Sequence, residues 1–192
     1  MKKIMTCALA ACMLASCTSP AAEPLAKMTF ANLNPFPVYV AAYEVKDSYR
    51  DFGTGAGGDE IIPPFATSPG LAVTDYFKNR YSANGTDGKL IVDVQSSSVT
   101  HEMMGSENSV GKFLGVDRKD VYHISVIINL VVLDAGGYDR KEMKITAHRE
   151  ISIPETYSIA DREKTQMESL DSMIDDLDGA VQKALRNEFQ VM

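Results

Sequence analysis

The chain has 192 residues, 45% of them hydrophobic and 23% charged, with nineteen basic against twenty-six acidic residues and a formal charge of −7. That balance excludes bulk attraction to nucleic acid or anionic lipid, both of which need an excess of Lys and Arg. The length suits one domain with its own hydrophobic core.

Lys2 and Lys3 open the chain, and residues 4–13 form an apolar run too short to span a bilayer. Leu14-Ala15-Ser16-Cys17 then reads as a bacterial lipobox, small residues before the cysteine at which a lipoprotein signal peptidase cuts. The expectation is a signal peptide over 1–16, a lipidated tether over 17–26 and a single α+β periplasmic domain over 27–192. Cys17 is then diacylated on sulfur and acylated on nitrogen. Cys7 and Cys12 leave with the leader, so the mature chain has no cysteine for a disulfide or a metal. Losing Lys2 and Lys3 leaves seventeen basic residues and a charge of −9. Membrane attachment therefore rests on the acyl chains, each buried CH₂ being worth about 0.8 kcal/mol.

Residues 18–26 are small, proline-containing and aperiodic, a short tether. A strand is expected over 38–45, with Pro35 and Pro37 placing its start at an edge or bend. Residues 46–68 form a long Gly/Pro-rich loop. Ser68-Pro69 opens a helix as cap and first residue. Val73, Phe77 and Tyr81 recur along it at i, i+4 and i+8, and Asn84-Gly85 is expected to stop it in the left-handed conformation. From Lys89, the residues Leu90, Val92 and Val94 alternate with polar neighbours as a half-buried strand, which continues to Met104 with a possible bulge at Ser96-Ser97-Ser98.

The strongest strand covers 121–133, with Tyr122, Ile124, Val126, Ile128, Leu130 and Val132 on one face. Asp134-Ala135-Gly136-Gly137 turns it into an antiparallel partner over 141–153. Ser158 caps a final helix of about 31 residues, roughly 46 Å, matching strands of about 43 Å. Its apolar stripe runs through Met167, Leu170, Met173, Ile174, Leu177, Val181, Ala184, Leu185 and Phe189. Asp175, Asp176 and Asp178 are read as its solvated face. The order is β-α-β-β-β-α: a two-layer sandwich, its mainly antiparallel sheet carrying two helices on one face and open on the other.

Chemical motifs fail on context. Gly53-x-Gly55-x-x-Gly58 matches the dinucleotide pattern, but an acidic, proline-broken segment follows it instead of a helix. Ser109-x-x-Lys112 lies in a glycine-rich loop, not at a helix start. His101, His123 and His148 fall on three strands without metal-ligand spacing, so they read as ordinary half-exposed strand histidines. No catalytic, metal or cofactor site is expected.

The connection over 105–120 is the exception to the bland reading. Val110, Phe113, Leu114 and Val116 stand there among glycines, with Lys112, Arg118 and Lys119 beside them. Long loops are mostly polar, so this apolar tip is a candidate for contact with a membrane or a partner's groove; the alternative is that it folds back on its own core. The open face, carrying Lys89, Ile91, Asp93, His123, Ile127, Asn129, Val131, Lys144 and His148, reads first as a solvated face and only second as a docking surface.

The lipobox, the single β-α-β-β-β-α domain and the capped last helix resemble small envelope lipoproteins of LPS assembly, the LptE-like kind, and auxiliary lipoproteins of ABC-type transport systems, the PqiC-like kind. The residues that carry the resemblance are 120–130 with Asp134-Ala135-Gly136-Gly137, 149–163 with the Met/Leu stripe behind them, and 76–90. The resemblance implies a non-enzymatic accessory anchored in the outer membrane, facing the periplasm beside an envelope protein partner. No ligand residue is carried over by it. The alternative is a periplasmic module that binds a lipid or small ligand.

Overall fold

The computed structural model describes residues 28–48, 65–105 and 118–192. Strands β1 (Phe36–Val38) and β2 (Ala42–Asp47) precede helix α1 (Pro69–Arg80). After them come β3 (Tyr81–Ala83), three long strands, β4 (Lys89–Met104), β5 (Lys119–Leu133) and β6 (Arg140–Pro154), and helix α2 (Ile159–Asn187). The main sheet has the order β2-β4-β5-β6, and β1 pairs with β3 in a separate parallel ribbon. Strand β2 is parallel to β4, while β4-β5 and β5-β6 are antiparallel. This is the expected α+β two-layer arrangement with a mainly antiparallel sheet.

Alternation dictates which side of the sheet is dry. On β5, Ile124, Val126, Ile128 and Leu130 are fully buried while His123, Ser125, Ile127 and Asn129 between them are half-exposed. The buried set, with Leu90, Val92 and Val94 of β4, meets Val73 and Phe77 of α1 and Leu170, Met173, Ile174, Leu177, Val181 and Leu185 of α2. Helix α2 runs 29 residues, close to its expected length, because its stripe must cover strands of fifteen and sixteen residues.

Three local expectations change. The strand read over 38–45 is two strands, because the chain steps from β1 to β2 at Tyr39-Val40-Ala41. Helix α1 ends at Arg80, five residues before Gly85, on an extended Tyr81. Gly85 serves close approach instead: a Cβ there would lie 2.5 Å from the Tyr39 carbonyl carbon. Among the described glycines, positive φ belongs to Gly88 (75°) and Gly137 (71°), the latter in the β5-β6 turn. The third shifts by a single position: the bulge expected at Ser96-Ser97-Ser98 is present in β4, at a register shift between Val94 and Ser96. Before it odd-numbered residues face out; after it even-numbered ones do.

Candidate functional site

The sequence placed its sharpest expectations on Cys17 and on Val110, Phe113, Leu114 and Val116, all of which lie outside the described residues. What is described is the platform from which the 105–118 connection departs. Strands β4 and β5 end there as neighbours, Met104 opposite Lys119 and Met103 opposite Asp120. In the same row Lys119 faces Pro154 of β6, and the turn into α2 follows at once.

A charged clamp fastens this end. The bulge has turned His101 onto the helix-covered face, where Ser97 and Val99 also point, and its Nε2 lies 2.9 Å from Asp120 Oδ1. The Asp120 carboxylate accepts, so the imidazole N–H donates. Arg162, one turn into α2, binds the other oxygen of Asp120 through Nη1. Its Nη2 donates to the Pro154 carbonyl and its Nε to the Tyr157 carbonyl, each at 3.3 Å. Burial alone would raise the Asp120 pKa, but the hydrogen bonds from Arg162 and His101 outweigh it and hold the carboxyl below the usual range. The His101 ring packs at 4.9 Å on Tyr122, whose hydroxyl is buried without a hydrogen-bond partner among the described residues. Burial, and next the Asp120 charge, push that phenol's pKa up.

A His-Asp pair resembles the orienting half of a hydrolytic triad, but no Ser, Thr or Cys is hydrogen-bonded to His101 among the described residues. Nor does any group of three or more His, Cys, Asp or Glu there stand ready to hold a metal ion. Three side chains, His101, Asp120 and Arg162, with the Pro154 and Tyr157 carbonyls, join β4, β5, the β6 turn and α2 at one point.

Around the clamp, four large apolar side chains are exposed among charged ones such as Glu102, Lys119 and Glu155. Met103 and Met104 are 53% and 50% exposed, Ile159 is 77% exposed, and Tyr157 is also exposed. The register and the short turn after Pro154 gather these four at the end from which 105–118 leaves.

The open face has the composition expected of it. Lys89, Ile91, Asp93, His123, Ile127, Asn129, Val131, Lys144 and His148 all share it by register. Its charges are largely answered from within: Glu44 binds Lys89, Arg140 lies 2.8 Å from Glu142, and His123 Nδ1 lies 3.5 Å from Glu150. The hydrogen bond from Lys89 holds the Glu44 carboxyl below its ordinary pKa. Histidines do not converge, since His101 faces the helices while His123 and His148 face out.

A second polar cluster was missed. Asp178 is 4% exposed, not on the solvated face of α2. Its Oδ2 accepts from Arg80 Nε and Nη2 at 3.0 and 2.8 Å and from Gln182 at 2.8 Å, and its Oδ1 accepts from the Tyr81 hydroxyl at 2.6 Å. Arg80 also lies 4.1 Å above the Phe36 ring. Burial, then the hydrogen bond to Asp178, drives the Tyr81 pKa far up, so the phenol stays a donor. At the far end of the sheet, Tyr39, Gly88, Leu133, Asp134 and Phe189 line an open groove of about 410 Å³.

No protein-family model matches the chain. No curated protein matches it either. Among solved structures, it is similar to a neuraminyllactose-binding hemagglutinin homolog from Helicobacter pylori. The identity is 11% and the TM-score 0.39, over 83% of this chain and 90% of that one.

Proposed function

We propose that this chain is an outer-membrane-anchored lipoprotein, facing the periplasm, whose domain is a non-enzymatic accessory of an envelope assembly or lipid/LPS transport system. Acyl chains on Cys17 hold it to the membrane, and the loop bearing Val110, Phe113, Leu114 and Val116 meets an envelope protein partner. The observation that supports this reading best is the exposed apolar collar of Met103, Met104, Tyr157 and Ile159 at the end from which that loop departs. Soluble domains seldom leave several large apolar side chains gathered at one end without a use. The clamp of His101, Asp120 and Arg162 gives the contact a fixed base.

The tether is compatible in length. Met28, Phe30, Met167 and Asp171 line one small hollow, so the described chain begins on the first half of α2. Met28 lies eleven positions after Cys17, a span of at most roughly 40 Å.

The test uses the full chain in its native envelope. Cys17→Ala is expected to move the protein from the membrane to the soluble fraction. Purification of the wild type in mild detergent is expected to return a defined envelope complex, and Phe113→Ser with Leu114→Ser to lose it while the circular dichroism of the domain is kept. A chain that stays membrane-bound without Cys17, or that returns alone from the wild type, defeats the reading.

A further inference from the structure

We propose that the β6 edge is a self-association surface, and that two copies of this chain pair their β6 strands antiparallel about a dyad at Ala147. The inference is independent of the lipid anchor and of the loop contact.

The two edges of the main sheet differ. Strand β2 is six residues long, whereas β6 is fifteen. Proteins blunt an exposed edge by shortening it, by proline or by a bulge, because a long regular edge offers unpaired N–H and C=O groups to another strand. Strand β6 has neither proline nor bulge before Pro154, its register with β5 running unbroken from Arg140 opposite Leu133 to Pro154 opposite Lys119; what guards it is charge, Lys141, Lys144 and Arg149 among them, so a partner strand must answer those charges. Among the described residues, no backbone hydrogen bond reaches its outer side between Lys141 and Ile153.

The side chains indicate what pairs there. Opposed residues of an antiparallel ladder point to the same face, so a two-fold arrangement must centre on one residue and match odd with odd positions. Centred on Ala147, Lys144 of each copy stands opposite Glu150 of the other, giving two opposite-charge pairs on the open face. On the helix-covered face Met143 stands opposite Ile151, and the small Ala147 opposes itself, where the two α2 helices come nearest. This register also keeps every residue of β6 paired.

Neighbouring registers fare worse. Centring on Thr146 sets Glu142 against Glu150, centring on Ile145 sets Lys141 against Arg149, and centring on Arg149 sets that arginine against itself. Centring on His148 opposes two histidines and leaves Lys144 opposite Ser152. Lys144 and Glu150 exchange places on reversal about the midpoint, while Arg149 and Lys141 lie opposite Ile145 and Ile153 without meeting a like charge, so a second copy of this strand fits it better than an arbitrary peptide. The product is one eight-stranded sheet, within the size that open sheets reach.

The experiment measures the mass of the full chain in detergent micelles by sedimentation over about 1–100 µM. The wild type is expected to be a dimer. Lys144→Glu and Glu150→Lys, both exposed positions, are each expected to weaken dimerisation about tenfold or more, since each opposes like charges twice per dimer. The exchanged variant carrying both substitutions is expected to regain the wild-type affinity to within about threefold. A wild type that is monomeric at about 100 µM overturns the proposal. So does an exchanged variant as weak as either single one, which would mean that the edge pairs otherwise or with a different protein.

Discussion

Asp178 stands at i+4 from Ile174, within the stripe that α2 buries, and an acid there is tolerable only with its hydrogen bonds made. Arg80, Tyr81 and Gln182 supply them, so the carboxylate ties the end of α1 to the middle of α2. Deleting one member of a buried charge pair strands the other, at a cost of about 3–5 kcal/mol. Asp178→Ala is therefore expected to lower the urea unfolding free energy by that amount, while Asp176→Ala, at an exposed carboxylate of the same helix, changes it by less than about 1 kcal/mol. Equal losses from the two variants would refute the assignment. The phase of Asp178 within the stripe was visible in the sequence. What hid it was the habit of assigning acids to the wet side of a helix, when a partner distant in sequence decides the matter.

Between elements, the same lesson holds at the clamp. Arg162 and Gln166 continue the α2 stripe four residues apart towards its N-terminus, and both find polar partners beneath: Asp120, and the backbone N–H of Ala66 at 2.9 Å. The order of the long elements, the long hairpin and the Ser158 cap, whose Oγ accepts from the Asp161 N–H at 3.2 Å, follow from periodicity and cap chemistry, which are local, whereas the short β1-β3 ribbon does not. The facing of His101 does not, because one extra residue in β4 reverses every side chain after it. Asp120 gives the clamp its pH dependence. Its folded pKa is depressed, so its contribution is complete above the unfolded value, near 4, and is lost as pH falls through the folded value. Asp120→Asn is expected to cost about 3 kcal/mol at pH 7. The difference from wild type should shrink steadily below about pH 4 in denaturant titrations, and a constant difference down to pH 2 would contradict this account.

The molecule as a whole is closed by its tail. Phe189 is 7% exposed in the core, the Val191 N–H binds the Leu185 carbonyl at 3.0 Å, and the Val191 carbonyl accepts from the Tyr39 N–H at 2.7 Å. The burial of Phe189 was legible as the last position of the α2 stripe, but the Val191 contact was not, since its partner lies some 150 positions earlier. Removing residues 189–192 is expected to cost at least about 3 kcal/mol, chiefly from the lost phenylalanine. It should also expose the Tyr39 amide to fast hydrogen exchange; protection retained at Tyr39 would argue against the closure. The consequence concerns timing. A growing chain cannot seat its first strands until its final residues are free to reach them, because β1 waits for β3 and Tyr39 waits for Val191. Made from its N-terminus, the chain gains these contacts only after residues 189–192 have emerged, so this closure is a late step in reaching the finished fold.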